Sequence, residues 1–139
     1  MQGIIREPLK GLGSTCPIGD SLNDPKLDLP FWTASSGTTI KNLVIAKHIP
    51  ASSLTPHTRV ICLPGFTATV REELQALEKV AGREALDLVK FNDDPVNRRV
   101  VSSWPARFNI DYALSLGFVV DEGGMEPIVR RFQVDMVSP

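Results

Sequence analysis

Thr69-Val70-Arg71-Glu72 opens the stretch of this chain whose structure is dictated at both ends. The Thr69 hydroxyl is placed to accept from the backbone N–H of Glu72, while the Glu72 carboxylate reaches back to the N–H of Thr69, a reciprocal capping box. Val70, Leu74, Leu77 and Val80 then recur at helical spacing and form a stripe for burial. Glu72 and Glu73 sit where the helix dipole favours negative charge, and Gly82 fits the position after the last turn. Upstream, residues 59–63 contain β-branched Val60 and Ile61 and read as the clearest strand, ended by Leu63-Pro64-Gly65. A strand, a glycine turn and a helix N-terminus together hold phosphate or carboxylate in many proteins. Here the helix start is occupied by its own glutamate, so the junction reads as a structural turn.

The rest of the chain is broken into short pieces. Ile4, Ile5 and Leu9 read as the tail of a helix ended by Pro8 and Gly11. Residues 15–18 read as a short edge strand and residues 29–34 as a second extended segment. Ser35, Ser36 or Thr38 caps a helix to about Lys47, with Ile40, Leu43, Val44 and the stem of Lys47 expected to share the inward face. A loop follows from Ile49 to Thr58. Residues 86–91 are a further strand candidate, residues 95–101 a helical turn, and Trp104-Pro105 a break. Asn109 caps a short helix with Tyr112, Ala113 and Leu116 inward and Gly117 as its stop. A last helix runs from Pro127 to Met136, with Ile128, Val129, Phe132 and Met136 on its apolar face. Short strands alternating loosely with about four helices give an α/β or α+β chain without a complete doubly wound sheet, in one domain over residues 1–139.

Composition excludes several classes. With 139 residues, 42% hydrophobic and 22% charged, the chain has the make-up of an ordinary soluble globular domain. A net charge of -1, with basic doublets only at Arg98-Arg99 and Arg130-Arg131, gives no basic stripe for nucleic acid. No apolar run approaches the roughly 20 residues that span a bilayer, and no basic and apolar leader opens the chain, so no membrane partner is expected and the cytoplasm is the default location. Cys16 and Cys62 read as two buried free thiols, with a disulfide as the other reading. His48 and His57 have no helical pairing, so no metal site is expected.

Catalytic motifs are equally scarce. There is no Gly-x-Gly-x-x-Gly after a strand, no P-loop and no Gly-x-Ser-x-Gly elbow. The single tyrosine, Tyr112, has leucine four residues on, so a Tyr-Lys pair is not encoded. The acidic pairs Glu72-Glu73, Asp93-Asp94 and Asp121-Glu122 read as caps or solvated surface. Cys62 reads as an inert core thiol. Trp32 and Trp104 read as core or interface tryptophans, with ligand contact through the indole N–H as the alternative. No catalytic set is visible.

Five segments in order carry a resemblance: "GIIREPLKG", "FWTASSGTTIKNLVIA", "CLPGFTATVREELQALEKVAG", "SSWPARFNIDYALSLGF" and "IVRRF". Together they resemble the C-terminal part of extended short-chain dehydrogenases of the NAD-dependent epimerase/dehydratase family, nearest the D-erythronate dehydrogenase-like branch. The resemblance covers nearly the whole chain. It implies a substrate-binding lobe that closes over a small sugar acid or polyol. The NAD site and the Tyr-Lys pair would lie on a Rossmann half absent from this chain, with Met1 internal to the longer protein. No catalytic or cofactor-binding residue is carried over, and NAD belongs to the parent family only.

The resemblance does imply substrate-binding positions: Arg6, through "REPL", pairing with a carboxylate, Trp32 and Ser35 at the strand-to-helix junction, and Trp104 in the "WP" break. The chain departs from the family where Ser36-Gly37 stands for an expected Pro-Arg and Cys62 for an expected asparagine. The alternative is a free-standing, non-catalytic module binding a small molecule or a partner protein. A homo-oligomer through an exposed apolar face is the further partner expectation.

Overall fold

Helix Val70–Asp87 (α3) is the longest described element, and the helices Gly3–Leu9 and Met125–Val137 pack against it. The computed structural model describes residues 3–57 and 59–137; Met1 and Thr58, the latter at the end of the loop expected from Ile49, lie outside them. The remaining elements are α1 (Gly3–Leu9), β1 (Ser14–Cys16), β2 (Pro30–Thr33), α2 (Ser36–His48), β3 (Phe66–Thr69), β4 (Val89–Phe91), α4 (Pro95–Ser102), α5 (Asp111–Ser115) and α6 (Met125–Val137). The strands make two two-stranded sheets. β1 lies parallel to β4, with Ser14 opposite Val89, and β2 antiparallel to β3, with Trp32 opposite Thr67. This is a mixed α/β architecture with six described helices and four short strands. The two helices beyond the expected four are α1 and α4, which the sequence offers only as a helix tail and a turn.

The capping box of α3 forms as the spacing demands. Thr69 Oγ1 accepts from Glu72 N at 3.2 Å, and Thr69 N donates to Glu72 Oε2 at 2.8 Å. Val70, Leu74 and Leu77 are buried and Val80 packs at the core's edge. Each fully buried aliphatic side chain contributes about 1.5–3 kcal/mol, an upper figure because the unfolded chain is partly collapsed. Ile4 and Ile5 of α1 and Val129 of α6 close over this stripe. Gly82 stops the regular helix, at φ 83°, and a further helical stretch follows the kink to Asp87. Gly11, at φ 73°, lies just past the end of α1.

Several expectations fail for physical reasons. Residues 59–63 lie outside both sheets, and Val60 is 83% exposed. The strand of this region is β3, after Gly65, because β2 pairs with residues 66–69. Branched side chains favour a pleated surface but do not decide which segment β2 pairs with. Gly65 itself is required by contact: a Cβ there would meet Thr33 O at 2.5 Å and Trp32 Nε1 at 2.8 Å. Leu86 belongs to α3, so the strand expected over residues 86–91 begins at Val89.

α2 is turned opposite to its apolar pattern. Ile40, Leu43 and Val44 are 61%, 57% and 55% exposed, Lys47 is exposed as well, and the buried side chain is Asn42. Asn42 Nδ2 donates to Val119 O at 2.8 Å, and Val119 N donates to Asn42 Oδ1 at 2.9 Å. A buried amide with both ends satisfied sets the orientation, since leaving it unpaired would cost more than exposing aliphatic carbon. Cys62 is exposed and Cys16 buried, and both are free thiols, so the inert-core reading fails for Cys62. Among the described residues, no helix is long and apolar enough to cross a membrane.

Candidate functional site

The strand-to-helix junction between β2 and α2 ends at Ser35, the N-cap of α2. Its extended backbone lets Ser35 Oγ accept from Thr38 N at 3.0 Å. Asp121, arriving from the segment that Asn42 clamps, completes the junction. Ser35 N and Ser35 Oγ each donate to its carboxylate at 2.7 Å, and Thr38 Oγ1 donates at 2.6 Å. Burial alone would push this carboxyl up. The Ser35 and Thr38 donors outweigh it and hold the group below the ordinary carboxylate range.

Two cavities meet at this junction, sharing Ser35, Ser36, Ile128 and Phe132. One, of about 300 Å³, lies between α1, α3 and α6 and is lined by Ile5, Arg6, Glu73, Val129 and Phe132 among others. The other, of about 390 Å³, adds Gly37, Asp121, Glu122, Arg131 and Asp135. Arg6 is half-exposed and donates through Nε to Glu7 Oε1 at 2.8 Å. Arg131 Nε donates to Asp135 Oδ1 at 2.9 Å. Glu73 is only 5% exposed, and its Oε2 is buried without a hydrogen-bond partner. Burial pushes its carboxyl up to about 7.

Of the residues singled out in the sequence, Arg6 and Ser35 are therefore brought together. Trp32 and Trp104 line neither cavity. Trp32 packs on Gly65 and meets Phe108 edge-on at 5.4 Å between ring centroids. Trp104 is 51% exposed beyond the end of α4.

The fold corrects the reading of Glu73 and Asp121 as surface or caps. Adjacency in sequence hides the fact that the pairs split. Glu72 caps while Glu73 turns inward, and Asp94 caps α4 through Val96 N at 2.8 Å while Asp93 turns inward. Asp93 accepts from Gly19 N and Lys26 Nζ, each at 3.0 Å, and from Arg98; the Arg98 bond foremost holds it far below the usual carboxylate range. The available signal for Glu73 is its place three residues after Val70 and four before Leu77, on the buried stripe.

The phosphates of a dinucleotide are commonly held by free N–H groups at a helix start after a strand. The start of α3 after β3 is closed by Thr69 and Glu72, with Glu73 beside it, and the start of α2 after β2 is closed by Ser35 beside Asp121. Among the described residues, no group of three His, Cys, Asp or Glu side chains is placed to hold a metal ion.

No family profile matches the chain. The D-erythronate dehydrogenase of Haemophilus influenzae is 35% identical over 137 residues, 98% of this chain and 41% of that protein. The D-erythronate dehydrogenase of Cupriavidus necator is 32% identical over 133 residues, 96% of this chain and 38% of that protein. The chain thus spans about two fifths of the length of the curated relatives it matches. The solved nucleoside-diphosphate-sugar epimerase from Agrobacterium tumefaciens superposes with a TM-score of 0.83 at 29% identity, over 96% of this chain and 36% of that one.

Proposed function

We propose that this chain, a homologue of the C-terminal part of D-erythronate dehydrogenases with the fold of the C-terminal part of epimerases and dehydrogenases related to them, is the substrate-closing lobe of an NAD-dependent oxidoreductase. The single domain would act on a small sugar acid or polyol in the cytoplasm. It would not be catalytic alone: NAD and the Tyr-Lys pair would be held by a Rossmann half outside this chain. The observation that supports the reading best is the cleft at the β2–α2 junction. It combines a guanidinium at Arg6, a carboxylate at Asp121 held in place by three donors, and apolar walls from α1 and α6. A mostly apolar cleft with a few convergent polar groups is what a small ligand needs for orientation. Trp32 and Trp104 would contribute at most through the framework that carries the junction.

A second reading, a free-standing module binding a small molecule or a partner protein, is favoured by one observation. Ser36-Gly37 opens α2 where the resembled family carries Pro-Arg. The cavity there holds Asp121 and Glu122, and its Arg131 is already bonded to Asp135. That lining suits a neutral ligand better than an acid. The exposed Ile40, Leu43 and Val44 of α2 would be the face for a partner protein or a second copy.

The test is a chimera joining this chain to the N-terminal part of the Haemophilus influenzae relative, assayed for NAD reduction with D-erythronate and other four-carbon acids and polyols. The dehydrogenase reading expects turnover that the N-terminal part alone does not give. A folded chimera that binds NAD yet oxidises none of them overturns it.

A further inference from the structure

Position 73 stands on the buried face of α3, between Val70 and Leu77, where an apolar side chain would extend the stripe. It is glutamate instead, only 5% exposed, with Oε2 unpartnered. A buried carboxyl oxygen without a partner is costly, and native structures rarely keep one without a use. No hydrogen bond within α3 or its capping box relieves it, since the box belongs to Glu72. Glu73 does line the cavity between α1 and α6, with Ile5, Val129 and Phe132 as apolar walls and Arg6 on the same lining. The terminal torsion of glutamate is soft and nearly two-fold, so a half-turn exchanges its two oxygens.

We infer that Glu73 recognises a hydroxyl group of a small polyhydroxylated molecule bound in this cavity. Three facts select that chemistry. Its volume of about 300 Å³ is of the size that holds a small molecule. A carboxyl raised towards neutrality by burial both donates and accepts, as a hydroxyl does. The guanidinium of Arg6 on the same lining disfavours a cationic ligand. The inference rests on the substrate-lobe reading only for the ligand's class; the site itself rests on the geometry of Glu73.

The probe is erythritol, titrated into the full chain carrying 13C at the glutamate δ-carbons. The Glu73 carboxyl resonance should move saturably, and saturation-transfer spectra should give an affinity that Glu73→Met weakens about tenfold, the loss of one hydrogen bond to a buried polar group. Glu73→Gln, which keeps a donor and an acceptor, should stay within a few-fold of the parent by the same reasoning. A Glu73 resonance that erythritol leaves in place, or an affinity unchanged in Glu73→Met, overturns the inference. Should the chimera described above oxidise sugar acids while Glu73 ignores erythritol, this inference falls and the dehydrogenase reading stands. The opposite pair of results separates them the other way.

Discussion

Glu73 sets an expected pH dependence of stability. Its carboxyl is raised from 4.5 to about 7 in the folded chain. A raised group favours the folded state fully below its unfolded pKa, and that contribution is lost as pH climbs through the folded value. From pH 4.5 to pH 8 this one residue should therefore cost about 3 kcal/mol of stability, the free energy of moving a proton equilibrium between those two pKa values. Urea denaturation of the parent and of Glu73→Gln at both pH values checks it. The parent should lose stability relative to the variant as pH rises, and parallel curves would refute the burial of an unpaired carboxyl. The residue's identity is visible in the sequence, its burial only partly. Position 73 fits the apolar stripe by spacing, but an acidic residue in the first turn of a helix also satisfies the dipole at the surface. Only the arrival of α1 and α6 over that turn decides between the two, and both arrive from distant parts of the chain.

At the scale of elements, α3 and α2 behave in opposite ways. α3 carries its own start signal and its apolar stripe, so local rules suffice to place it. α2 carries an apolar stripe that points outward, because the polar face holding Ser35, Thr38 and Asn42 meets the segment around Val119 and Asp121. Periodicity finds such a helix but cannot say which face is covered. Asn42→Ala should cost about 2 kcal/mol, since it strands the Val119 N–H and carbonyl, as chemical denaturation would measure. Leu43→Lys should leave stability within about 0.5 kcal/mol, as exposed substitutions do. It should also lower self-association in sedimentation experiments if this face is used between copies. A large loss of stability in Leu43→Lys would mean that the helix is buried the other way round. The false strand at residues 59–63 is the same lesson in β form, because β2 pairs with chain beyond Gly65 and not with the stretch that Val60 and Ile61 suggest.

On the scale of the molecule, the described residues place a cleft at the β2–α2 junction. Both strand-to-helix junctions in which β2 and β3 feed α2 and α3 have their helix starts filled by the chain's own side chains. The order of sequence motifs makes the relation to dehydrogenases legible, because it survives even where single motifs are weak. The charge of the second cavity is not legible, since only folding brings Asp121 and Asp135 to the same lining. This lobe is expected to work with a dinucleotide-binding half, whether on one polypeptide or two. The most direct measurement passes native extract of the source cells over immobilised 5′-AMP and follows the chain with an antibody against α6. The signal should be retained and elute with NAD. Signal in the flow-through, with a control dehydrogenase retained on the same column, would contradict it.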